Sequence, residues 1–193
     1  GESFIIHIGA LSEVQALIDG HEDDGARLRQ APHSDQAYII RAVGRNALVV
    51  AGLEDSGIFY GIQTLRQLLI ARLTETEVVV PVATVTDWPD FAERGLWNSG
   101  LRTSAHLPGM ARMKLNFEHI NHPLDFDPDS SRCPPLPVDD IAEAKSRAIH
   151  VMPHCWHYDF WSDALKMRSN YSELVGKGDS AKNPVTVRDP GYH

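Results

Sequence analysis

Cysteine is scarce: Cys133 and Cys155 are the only two in 193 residues, too few for a disulfide framework. They leave the redox compartment open. Long apolar runs are missing too, and nothing approaches the ~20 residues that cross a bilayer. Positive charge is in deficit, with 18 Lys and Arg against 26 Asp and Glu and a net charge of -8. No basic cluster offsets that balance, which excludes an electrostatic nucleic-acid surface. G-x-G-x-x-G, G-K-[ST] and H-E-x-x-H are all absent, so neither a phosphate cradle nor a metalloprotease helix is encoded in its usual form. The partners expected therefore include neither nucleic acid nor membrane, and no cofactor is implied.

The patterning that is present reads as α/β. Phe4 to Ile8 is a short strand-like run, Leu11 to Ile18 reads as a helix, and HEDDG after it reads as a charged loop. Tyr38 to Val43 and Ala47 to Ala51 are β-type runs joined by Gly44-Arg45-Asn46, a hairpin with a three-residue connection. From Asp55 to Leu73, apolar residues recur at three- and four-residue steps (Ile58, Ile62, Leu65, Leu68, Leu69), which predicts a helix with one apolar stripe. Val78 to Val85 is strand-like, with Pro81 favouring an edge or a bulge.

The character changes at Asp87-Trp88-Pro89-Asp90-Phe91, where proline imposes an extended linker. Strands and helices then alternate: Glu93 to Trp97, Ala105 to Lys114, Asn116 to Asn121, Val138 to Arg147 and Ala148 to Met152. That alternation predicts parallel βαβ units. Periodicity alone leaves open whether they form a small open sheet or begin a closed barrel.

Two stretches carry a family resemblance. The helix contains G-x-x-Y-G-x-Q-T-L-x-Q-L as Gly57, Tyr60, Gly61, Gln63, Thr64, Leu65, Gln67 and Leu68. The junction contains D-x-P-x-F-x-x-R-G as Asp87, Pro89, Phe91, Arg94 and Gly95. In this order and at this short separation they resemble the accessory domain and barrel entry of the family 20 β-N-acetylhexosaminidases. The resemblance implies a small α+β, zincin-like accessory domain over residues 1–86. The first βα units of a (β/α)8 TIM barrel would follow over 87–193. The helix motif itself reads as packing, with Gly57 and Gly61 letting a strand approach and Tyr60 and the leucines filling the interface.

The resemblance also implies a carbohydrate substrate, a glycosidase as the parent protein, and a secreted or periplasmic location. It makes Arg94 a candidate for gripping sugar hydroxyls with its planar fork, the alternative being a strand arginine paired with Glu93 or another carboxylate. His119 falls at a matched position in Lys114-Leu115-Asn116-x-x-His119, Asp125 is slightly displaced, and His154 stands where the family has a glutamate. His157 completes the candidate substrate-binding set. Trp156, Tyr158 and Trp161 could stack on a sugar face or fill a core. Zinc held by His154, Cys155 and His157 is the rival reading, although the spacing matches no standard motif and no metal is expected.

Family 20 enzymes use an Asp-Glu pair, the glutamate as general acid and the aspartate orienting the acetamido nucleophile of the substrate, an exception to the two-carboxylate scheme. No Asp-Glu dipeptide occurs in this chain. Asp139-Asp140 reads instead as the acidic start of a helix. The expectation is a divergent, truncated relative without catalytic residues of its own, the alternative being a non-catalytic carbohydrate-binding or interaction module.

Overall fold

The computed structural model describes residues 3–18, 22–96, 104–121 and 137–154. They build a mixed α/β structure on two small sheets. The first sheet holds β1 (Ile5–Ala10), β2 (Tyr38–Val43), β3 (Ala47–Gly52) and β4 (Val85–Asp87) in the order β1-β3-β2-β4. β1 runs parallel to β3, while β2 is antiparallel to both β3 and β4. The hairpin closes through Gly44-Arg45-Asn46 as the sequence predicts, and Gly44 supplies the positive φ of 62° that the tight connection needs.

Strand alternation sends β2 and β3 side chains to both faces, and both faces are covered. Ile39, Val49 and Ala51 pack with Leu11, Val14, Ile18 and Leu28 on one side. Tyr38, Ile40, Leu48 and Val50 pack with Tyr60 and Leu65 on the other. This double burial is why the two strands read as near-continuous apolar runs, interrupted only by Arg41, rather than alternating ones.

The first face is covered by α1 (Leu11–Val14), a 3-10 turn over Gln15–Ile18, and α2 (Glu22–Gln30). Helix α2 corrects the charged-loop reading of HEDDG. Its Asp24 is buried and ion-paired with Arg41 of β2, and Leu28 packs one turn further on. The carboxylate thus occupies a core-facing helix position where a periodicity reading looks for an apolar residue.

The second face is covered by α3 (Asp55–Ile70). Its buried line runs through Gly57, Tyr60, Gly61 and Leu65, while Ile58, Ile62, Leu68 and Leu69 are half-buried on its flanks. The close approach is real: a Cβ on Gly61 would stand 2.7 Å from Val50 Cγ1, and one on Gly57 would collide with the Ala37 carbonyl. The strand expected over Val78 to Val85 is mostly absent. Val78 makes one isolated bridge to Leu73, Val79 and Val82 are exposed, and pairing begins only at Val85. Pro81 has no N–H to give to a ladder.

The second sheet is parallel, with β5 (Gly95–Leu96), β6 (Phe117–Asn121) and β7 (His150–His154) in chain order. Helix α4 (Leu107–Arg112) connects β5 to β6, and α5 (Val138–Ser146) connects β6 to β7. Both contribute to one cluster of Leu107, Met110, Ala144 and Ile149, joined by Val151 of β7. The predicted strand–helix alternation is therefore present, and three parallel strands are seen among the described residues.

Candidate functional site

Register assigns the two faces of the parallel sheet. Leu96, Glu118 and Val151 stand level on adjacent strands, and Val151 packs on the helices. Glu118 therefore faces α4 and α5, and alternation turns Phe117, His119, His150 and Met152 to the opposite face of the sheet. Phe117 and His150 meet edge to face there at 5.6 Å. His119 is buried, whereas Met152 and His150 are open to solvent. His154 ends β7 level with Asn121, at the end of the strands where active sites form on parallel α/β scaffolds. Asp125 and His157, and with them Trp156, Tyr158, Trp161 and the zinc rival's Cys155, lie outside the described residues. Among the described residues no group of three His, Cys, Asp or Glu side chains stands together as a metal site.

Arg94 lies at the other end. It directly precedes β5, one step below the Gly95, Phe117 and His150 level, so it does not share an end of the sheet with His154. Its guanidinium grips protein groups. Nε and Nη2 donate to the Lys114 carbonyl at 3.2 and 3.0 Å, and Nη1 donates to Gln36 Oε1 at 2.9 Å and to the Phe91 carbonyl at 2.6 Å. The fork also lies over the Tyr60 ring, 5.4 Å from its centroid. Its neighbour Glu93 pairs with His150 at 3.2 Å.

Around Arg94 the two units interlock. Asn116 accepts the Arg94 backbone N–H on its Oδ1 and donates from Nδ2 to the Ala92 carbonyl at 2.8 Å, where Gln36 Nε2 also donates. A second knot joins Tyr38, whose hydroxyl lies 2.6 Å from Thr64 Oγ1 and donates to Asp87 Oδ2 at 2.6 Å. Lys114 Nζ donates to that hydroxyl at 2.6 Å and to Asp87 at 3.2 Å. Gln67 of α3 donates to the Arg112 carbonyl that ends α4. Burial, and after it the hydrogen bond to Asp87, pushes the Tyr38 phenol far above its ordinary pKa. Burial raises Tyr60 as well, with the Arg94 charge opposing it.

Tyr60, Thr64 and Gln67 of the helix motif and Asp87 and Arg94 of the junction motif thus gather at a single interface. Gln36 went unnoticed in the sequence because it belongs to neither motif, and its role arises only when Ala92, Arg94 and Asn116 surround it. Glu118 was missed too: it is fully buried on the helix side, 3.6 Å from His106. Gly95 has a steric reason, since any Cβ there would meet Phe117 of the adjacent strand.

Both helix ends that lead into β6 and β7 close in the same way. Lys114 and Ala148 each take φ of 56°, one residue past the C-cap, and each donates to the carbonyl three residues earlier. The next residue bonds five residues back: Leu115 to Met110 and Ile149 to Ala144, both at 3.0 Å. This is the Schellman closure, which glycine usually supplies, because a left-handed backbone costs other residues about 1–2 kcal/mol.

A cleft of about 520 Å³ opens beside the interlock, at the starting ends of the parallel strands. Asp35, Tyr60, Glu93, Lys145 and His150 line it. It lies at the opposite end of the sheet from His154.

Comparison with known proteins agrees with these motifs. Residues 12–88 match the family model described as Glycosyl hydrolase family 20, domain 2. No curated protein matches the sequence. Among solved structures, a glycoside hydrolase family 20 beta-N-acetylglucosaminidase is 25% identical over 70% of this chain and 36% of its own, with a TM-score of 0.49. The Streptomyces plicatus N-acetyl-beta-hexosaminidase in complex with Thio-NAglucal is 17% identical over 79% of this chain and 41% of its own, at 0.50, a likeness of fold. The GH20 beta-N-acetylhexosaminidase of Streptomyces coelicolor A3(2) is 17% identical over 78% and 41%, at 0.49. The chain spans between 36% and 41% of the length of these structures. The resemblance to family 20 read from the two motifs holds.

Proposed function

We propose that this chain, related to the glycoside hydrolases through its family 20 domain 2, serves the hydrolysis of terminal N-acetylhexosamine glycosides. In this reading residues 1–86 form the accessory domain, of zincin-like shape. The parallel strands after it are the opening strands of a (β/α)8 barrel, and their inner face looks toward the sugar. His154 at the end of β7, with Asp125 and His157 shortly beyond the ends of β6 and β7, would contact hydroxyl groups. His119 sits two positions deeper and would orient them, since an imidazole can donate from one nitrogen while accepting on the other. The observation that carries the reading is the family domain over residues 12–88 joined by its own motif residues to a parallel strand–helix unit.

The chain's sequence holds no Asp-Glu dipeptide, so substrate-assisted turnover needs residues it does not contain. That feature favours a second reading, a carbohydrate-binding module that does no chemistry. The test is titration of the purified chain with N-acetylglucosamine, followed by the Met152 methyl resonance, alongside an assay on an aryl N-acetylglucosaminide. Weak binding that is lost in His154→Ala, without turnover, is the expected result. No hexosamine binding would end both readings. A coding frame that continues past His193 into an Asp-Glu pair favours the enzyme, and a stop codon there favours the module.

A further inference from the structure

We propose that Lys114 is a positioning residue whose side chain fastens the start of β6 to the four-stranded sheet and so fixes the face that carries His119. The functional reading above enters only in treating that face as the sugar-facing one. Lys114 is held from two directions, by its ammonium on the first unit and by its carbonyl on Arg94 ahead of β5. Its ammonium reaches Tyr38 and Asp87, which pair with each other across β2 and β4, and lies 4.8 Å from the centroid of the Tyr38 ring. Its carbonyl takes two N–H groups of Arg94. Strand β6 begins three residues later, at Phe117, and Asn116 between them is tied to Arg94 and Ala92.

The simpler explanation is that residue 114 merely caps α4. Ala148 argues against it, because it occupies the equivalent place before β7 with the same φ and the same pair of backbone bonds. Alanine has no polar group, so this closure does not require a lysine. Glycine would fit the left-handed backbone without strain. A lysine there keeps the strain and adds the bridge to Tyr38 and Asp87.

The two explanations differ in sign. If residue 114 is only a cap, Lys114→Gly relieves the backbone and raises Tm. If it is a positioning residue, Lys114→Gly lowers Tm, while Ala148→Gly, the control, does not. The second readout is amide hydrogen exchange on the 193-residue chain. Lys114→Gly should speed exchange at Phe117 and His119 by about tenfold or more relative to Val49 and Val50, as a local opening requires. Lys114→Arg, which keeps a cation within reach of Asp87, should restore both. A raised Tm in Lys114→Gly, equal acceleration in both sheets, or no recovery in Lys114→Arg would overturn the proposal. Should Lys114→Gly not fold, Lys114→Met, which keeps the aliphatic stem, is read by the same exchange ratio and the same rescue. Neither readout involves a sugar, so failure here leaves the glycosidase reading standing, and failure to bind hexosamine leaves this one.

Discussion

Gly61 of α3 faces Val50 of β3 so closely that a single added carbon would stand 2.7 Å from the valine Cγ1. At Gly57 and Gly61 the helix approaches its neighbours too closely to admit a side chain. Gly61→Ala is expected to destabilise by about 1–3 kcal/mol, the usual range for overpacking. Gly57→Ala should cost more, because the obstacle there is the Ala37 carbonyl rather than a side chain that can turn. Gly109 of α4 has nothing within 4 Å of the same construction, so Gly109→Ala should gain about 0.5 kcal/mol. Urea unfolding of the three variants checks the order.

Stability should fall at high pH. Burial holds the phenols of Tyr38 and Tyr60 above their ordinary values, so the folded chain keeps protons that the unfolded chain has released. This contribution is fully present below about pH 10, the unperturbed tyrosine value. It is lost as pH rises toward the folded values, at up to ~1.4 kcal/mol per pH unit for each phenol. Urea midpoints measured from about pH 9 to about pH 11 should show this decline, and Tyr38→Phe should make it shallower. An identical slope in Tyr38→Phe would show that Tyr38 is not one of the groups responsible.

Replacing Arg94 should weaken the fold even when the charge is kept. A lysine cannot reproduce the fork that serves Lys114, Gln36 and Phe91 together. Arg94→Lys is expected to lose about 1–3 kcal/mol, the range for hydrogen bonds to a charged group and for the acceptors left without it. Chemical unfolding of the two proteins provides the comparison, and a change within about 0.5 kcal/mol would contradict the contacts described.

The pair between Asp24 and Arg41 makes α2 dependent on β2. Asp24→Ala should destabilise by about 3 kcal/mol, because it strands a largely buried guanidinium. The double change Asp24→Leu with Arg41→Met should recover most of that loss, since an apolar pair of similar size carries no desolvation penalty. Thermal melts of the single and double variants measure the difference.

The sequence by itself determined most of the local elements and the resemblance to family 20. Apolar periodicity and the Gly44-Arg45-Asn46 turn located the hairpin and α3, and the alternation after Pro89 placed the parallel strands. The glycine spacing in the helix motif already implied close packing, because only the lack of a side chain explains paired glycines on one helix face. The tertiary structure decided what the polar motif residues do. Gln67, Asp87, Arg94, Lys114 and Asn116 are far apart in sequence, and no spacing rule shows that they meet across one interface. It also decided that α2 is a helix, because Asp24 counts as a core residue only once Arg41 stands opposite. Local patterns record which way each side chain points along its own element; partners across an interface exist only after the elements have docked.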